Sequence, residues 1–308
     1  MKKYLLSFGV LAAAALSMTS CLSNSSSDQK YTFGYGNTDC FNRVYDMDTQ
    51  EYTITLNPTY SFVYNMSKAT LDVDMSNIKL GDSGYSGMSF KLSGMGFSLG
   101  EDYFWKTSAR DVVPYGASSS FVFNSFNLNA LPTRTIANMG IPVYYMTYTV
   151  NNRYRVMVYP TQLVYFGSIA ASDLNNNTDF SITDDKESYY AVQINPEKMT
   201  AQLLVSGAQY KQGMNRYNFR VKDLPIELTD NGYRIRTEVN KKYDVWSDKS
   251  TTEPVKGQSV SNVLITASLD YGATISFTID LGEDVDGGLF GVNASLRYLF
   301  YNKQENQQ

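Results

Sequence analysis

Three groups of residues have types and spacings that could do chemistry. The segment Glu283-Asp284-Val-Asp286-Gly-Gly288 sets alternate carboxylates before a glycine pair. Such a pattern can wrap calcium with side-chain and backbone oxygens, and Asp284 and Asp286 are its ligand candidates. A full calcium loop needs more ligands and a closing glutamate, where this chain runs on through Phe290, Val292 and Ala294. An acidic hairpin turn accounts for the same residues, so no metal or other cofactor is expected. The second group is aromatic: Tyr85 inside Gly81-Asp-Ser-Gly84-Tyr-Ser-Gly87, with Trp105 and Trp246 further along. A flat ring on a loop can stack on a sugar or anchor a protein contact, although core packing is the commoner use of tryptophan. The third group is carboxylates near strand ends, such as Glu51 and Glu187, because a glycosidase needs only two acids.

Composition removes other chemistries. The 308 residues contain no histidine and two cysteines, Cys21 and Cys40. Without histidine there is no Ser-His or Cys-His nucleophile, no usual zinc ligand and no imidazole base near neutral pH. Gly84-Tyr-Ser-Gly87 misses the nucleophile-elbow spacing, and phosphate-binding and dinucleotide fingerprints are absent. Cys40 beside Asp39 reads as a small buried hydrophobe rather than a reactive thiol. The chain carries 26 basic and 30 acidic residues. That balance is no basis for holding a phosphate backbone, so nucleic acid is not an expected partner.

The N-terminus carries the sharpest signal. Lys2 and Lys3 precede an uncharged run from Tyr4 to Ser20, of signal-peptide length and interrupted by Ser17, Thr19 and Ser20 before it could span a bilayer. Met18-Thr19-Ser20-Cys21 resembles the lipobox of bacterial lipoproteins, and Leu22-Ser-Asn-Ser-Ser-Ser-Asp28 has the composition of a flexible tether. Residues 1–28 are similar to exported lipoproteins of the Bacteroidota. The resemblance implies cleavage before Cys21, lipid on that cysteine and a membrane anchor. Leu22, which is not aspartate, points to the outer membrane. The expected layout is a signal peptide at 1–20 and a tether at 21–30.

Beyond the tether the hydrophobic period is two. Thr70-Leu-Asp-Val-Asp-Met75, Tyr154-Arg-Val-Met-Val158 and Ala273-Thr-Ile-Ser-Phe-Thr-Ile-Asp-Leu281 alternate cleanly between turn residues. Many short strands call for a sandwich or a barrel. A membrane-spanning barrel is disfavoured because several strands are short for it and a lipid anchor would be redundant. Landmarks also recur in order. Asn37-Thr38-Asp39 returns as Asn177-Thr178-Asp179, and Tyr52 to Pro58 as Tyr190 to Pro196. Phe90-Lys-Leu92 returns as Phe219-Arg-Val221, and Tyr103 to Thr107 as Tyr233 to Thr237. This predicts an all-β chain of tandem antiparallel β-sandwich-like domains related by an internal repeat, at 31–170 and 171–308, with linker-like composition at 167–177. The copies should differ by a glycine-rich loop at 81–87. Asn57-Pro58 and Asn195-Pro196 should end equivalent strands. The functional expectation is a non-catalytic envelope protein that binds a polysaccharide, a peptide or a protein partner. An envelope hydrolase acting on glycans through paired carboxylates is the alternative.

Overall fold

The computed structural model describes residues 30–81, 87–100, 104–116, 120–131, 143–247, 252–270, 272–282 and 288–297. They form two units, dividing after Thr161. Both units are antiparallel β-structure, as the period-two pattern requires.

Unit 1 contains β1 (Lys30–Tyr35), β2 (Cys40–Asp46), β3 (Glu51–Leu56), β4 (Thr59–Asn65), β5 (Thr70–Ile78), β6 (Met88–Leu99), β7 (Trp105–Ala109), β8 (Phe123–Leu131), β9 (Val143–Val150) and β10 (Tyr154–Pro160). Their spatial order is β1-β4-β5-β6-β7-β8-β9-β10-β2-β3, an open sheet curled into a half-barrel with β1 and β3 at its ends. On β5, Leu71, Val73 and Met75 point into the core while Asp72 and Asp74 face out. The core is aromatic, with Phe62, Tyr64, Phe123, Phe126 and Tyr148 fully buried. Burying one such ring contributes about 1.5–3 kcal/mol.

Unit 2 contains β11 (Gln162–Asp173), β12 (Thr178–Asn195), β13 (Thr200–Ala208), β14 (Tyr217–Thr229), β15 (Gly232–Arg236), β16 (Tyr243–Ser247), β17 (Ser259–Ser268), β18 (Gly272–Asp280) and β19 (Leu289–Arg297). Eight of them run β13-β12-β11-β19-β18-β17-β15-β14, and β13 pairs again with β14, which closes the barrel. The short β16 bridges β14 and β17. Inward positions carry large side chains, among them Phe219, Phe277 and Phe290, with Tyr210 ringed by the latter two. A barrel of this size is filled by its own side chains.

The expectation of tandem sandwiches is therefore corrected. Unit 1 is an open curled sheet and unit 2 a closed barrel, not two copies of one sandwich. Alternation says that one strand face is buried; it does not say whether the facing layer is a second sheet or the same sheet curled round. The landmark match also fails locally. Asn57, at φ 60°, joins β3 to β4, whereas Asn195 ends β12 and opens the hairpin to β13. Asn195 Oδ1 accepts the Glu197 and Lys198 amides, an Asx-turn role that in unit 1 is filled by Asp46, which accepts the Asp48 amide, and Asn65, which accepts the Lys68 amide. Phe90 with Leu92, and Phe219 with Val221, are all buried. Residues 82–86 of the glycine-rich loop lie outside the described residues. The segment 167–177 is not a linker either. It is the second half of β11 and its turn, with Ile169, Ala171 and Asp173 buried. Small strand residues pass for linker composition because only their alternation distinguishes them.

Candidate functional site

The aromatic candidates meet different fates. Trp105 packs inside unit 1, with ring centroids 4.6 Å from Tyr64, 5.6 Å from Phe97, 5.7 Å from Tyr31 and 5.9 Å from Phe33. Its role is structural. Trp246 sits half-buried on β16, where the Lys222 ammonium lies 3.4 Å from its ring centroid and occupies one face. Tyr85, Cys21, Asp284 and Asp286 lie outside the described residues. An aromatic that sequence reading passed over is Tyr52, 49% exposed, with Arg43 3.7 Å above its ring and Tyr45 at 4.6 Å.

The carboxylates are organised by arginines. Arg153 holds Asp46 through Nε at 3.0 Å and Nη2 at 2.8 Å, and also reaches Asp48. The Arg153 hydrogen bond keeps the Asp46 carboxyl below the usual range. In unit 2, Arg216 bonds the buried Asp185 at 3.0 Å and Glu187 at 2.5 Å. Burial opposes ionisation of Asp185, yet the Arg216, Glu187-amide and Ser188 bonds outweigh it and its pKa is lowered. Asp173 is lowered too, chiefly by the Asn176 side-chain amide that it caps. A glycosidase acid needs the opposite displacement. Glu51 is exposed at the start of β3, opposite Asp46. Among the described residues, no three acidic or cysteine side chains cluster as a metal site. Cys40 is buried, its thiol facing the Pro58 carbonyl at 3.8 Å, and burial together with Asp39 pushes its pKa up.

The concavity worth building on is outside the unit 2 barrel. Outward positions of β17, β18, β19, β11 and β12 fall in register as Leu264, Ser276, Asn293, Ala170 and Ser181. A second row places Thr274, Ser295 and Ser168 side by side. The β11–β12 pairing shifts register between Tyr165 and Gly167 and again before Ile169, each time with extra residues on β12, and bulges of this kind bend the strand that carries them. The resulting groove holds about 530 Å³, with Thr183 at its margin and every lining residue uncharged. Hydroxyls and one amide offer hydrogen bonds there without an electrostatic preference. Sequence reading missed this surface because serine and threonine at outward strand positions look like ordinary solvated residues. The available signal was that Gly167-Ser-Ile-Ala-Ala-Ser172, Thr274-Ile-Ser276 and Gly291-Val-Asn-Ala-Ser295 place no lysine or glutamate outward.

No protein-family model matches this chain, and no curated protein matches it in sequence.

Proposed function

We propose that this is a lipid-anchored envelope protein that binds a ligand on the outside of its β-units rather than performing catalysis. The observation that carries the reading is the uncharged groove, mostly apolar in its lining with serine, threonine and asparagine groups set among the apolar side chains, on the outer face of a barrel whose interior is packed with side chains. A filled barrel leaves its surface as the place for recognition, and hydroxyl and amide groups suit a polysaccharide or the backbone of a peptide. Cys21 and the small residues before it support the proposed anchor, and Leu22, which is not aspartate, supports the outer membrane as its place.

Two measurements test this. In cell fractionation, Cys21→Ala is expected to move the protein from the membrane to the soluble fraction; recovery with the membrane at parental levels would end the lipoprotein reading. A screen of envelope polysaccharides and peptides with the parent chain and with Asn293→Trp, which fills the groove, tests the site. Binding is expected in the parent and a loss of tenfold or roughly more in the variant, on the order of one well-placed contact cluster. Equal binding by both would remove the groove.

A further inference from the structure

The lining of the unit 2 groove is uncharged, but its borders are not. On β15, Arg236 pairs with Leu264, a lining residue, and Arg234 pairs with Thr266, whose partner on β18 is Thr274. Arg236 therefore heads the row that crosses Leu264, Ser276 and Asn293 toward Ser181. Arg234 heads a row of hydroxyls, Thr266, Thr274, Ser295 and Ser168, on four successive strands. Both arginines are exposed, and neither enters an ion pair among the described residues. Glu227 stands opposite Arg234 on β14, whereas Arg236 lies past the last β14–β15 partners, Ile226 and Ile235. At the opposite border the sign reverses. On β12, Asp179 accepts the Ser172 hydroxyl and Asp184 is exposed. Five strand intervals separate Arg236 from Ser181. At the usual strand spacing that is about 24 Å along the sheet.

Between these borders the main chain is already engaged. β17, β18, β19 and β11 pair on both sides where they line the groove, so their amides and carbonyls are taken up in ladders. A bound peptide would find no ladder to extend there. The lining instead presents serine, threonine and asparagine side chains among apolar ones. Such a mixture matches the hydroxyls and C–H faces of a sugar chain, which carries its own donors and acceptors. An arginine fork matches a carboxylate through two parallel bonds. The acids on β12 repel an anion at their end, so the charge complement is one-sided.

We infer that the groove takes a largely neutral polysaccharide segment bearing a uronate at one end. The carboxylate sits on Arg236 with Arg234 beside it, and the neutral units run along the hydroxyl rows toward β12. This rests on the reading of the groove as a binding site and names its ligand class.

The test uses the full chain carrying Cys21→Ala so that it remains unlipidated. Titration calorimetry compares xylotetraose bearing one glucuronate, plain xylotetraose, and a short serine peptide with one glutamate. The acidic tetraose is expected to bind about three- to tenfold tighter than the neutral one, the range of a charge-assisted hydrogen bond. That gain should shrink as salt rises. Arg236→Gln should bring the acidic tetraose down to the level of the neutral one, and Arg234→Gln should remove a smaller part, since Glu227 competes for Arg234. Lys198→Gln, exposed in the turn between β12 and β13, should keep the gain, and thermal midpoints check that each variant folds. Equal affinity of the parent for both tetraoses, or equal losses in Arg236→Gln and Lys198→Gln, would overturn the arginine border; loss of both tetraoses in Asn293→Trp would then leave the groove standing without it. Peptide binding as tight as that of the acidic tetraose would overturn the sugar. Binding of neither tetraose by the parent would overturn the uronate ligand, and the wider screen of polysaccharides and peptides then decides the groove separately.

Discussion

Unit 1 stays open and unit 2 closes, although both are built from alternating antiparallel strands. The difference begins in the first two extended segments of each unit. In unit 1 the chain leaves extended structure twice. At 36–39 the Asp39 carboxylate accepts the Gly36 amide while the Asp39 amide donates to the Gly36 carbonyl, a tight turn between β1 and β2. At Asn57-Pro58 a positive φ and a missing donor separate β3 from β4. The broken strands then pair piecemeal: β1 with β4, and β3 with β2, each on one side. In unit 2 the first segments run unbroken for 12 and 18 residues. β12 bulges against β11, and a bulge redirects a strand without ending its ladder, so β11 keeps both β12 and β19 as neighbours. Continuity of two strands, not hydrophobic pattern, separates the barrel from the open sheet.

The largest expected effect attacks the close approach of β11 to β19. Gly167 has φ 156°, and a Cβ there would meet the Ser295 carbonyl oxygen at 2.2 Å. Gly167→Val should cost about 3 kcal/mol or more by forcing β11 off β19. Gly94 in unit 1, at φ 71° with open space around it, is the control: Gly94→Ala should cost only about 1–2 kcal/mol, the penalty of the left-handed backbone. Urea unfolding of both variants measures this, and equal losses would deny unit 2 its special dependence on the close approach of β11 to β19.

A smaller contrast lies in the two tyrosine-rich cores. Tyr165 and Tyr233 share a buried hydroxyl bond of 2.8 Å in unit 2, whereas the buried Tyr64 hydroxyl of unit 1 has no hydrogen-bond partner among the described residues. Burial raises the Tyr64 pKa far above its ordinary value, so it stays neutral. Tyr165→Phe should destabilise by about 1 kcal/mol, while Tyr64→Phe should be neutral or stabilise by up to about 1 kcal/mol, because it removes an unsatisfied group. Calorimetric melting of the pair decides the sign.

The smallest difference is in acid tolerance. Asp46 and Asp185 both have pKa values lowered by folding. Their contribution is present above the ordinary carboxylate pKa, about 3.9, and is lost as pH falls through the lower folded values. Stability should therefore drop below about pH 4. Asp185→Asn should flatten that drop more than Asp46→Asn, since the Asp185 side chain is 2% exposed against 14% for Asp46. Denaturation midpoints measured between pH 2 and 6 would show equal flattening if the two pairs are equivalent here.

The sequence by itself determined the all-β class, the inward and outward faces of β5 and β14, and the burial of Cys40, because each follows from local alternation or from a missing partner. It also carried the resemblance of Met18 to Cys21 to a lipobox, on which the proposed anchor rests. The tertiary structure decided what depends on residues far apart. Trp105 looked like a ligand-stacking ring and became core because Tyr31 and Tyr64 converge on it from β1 and β4. Asn195 matched Asn57 in its neighbours but Asn65 in its turn, since a repeated tripeptide says nothing about which strand comes next. The groove needed five strands in register before Ser276, Asn293 and Ser181 formed a surface. Closure needed β13 to meet β14 after one turn of the sheet. Period two specifies a face, and only long-range pairing specifies what that face is left to meet.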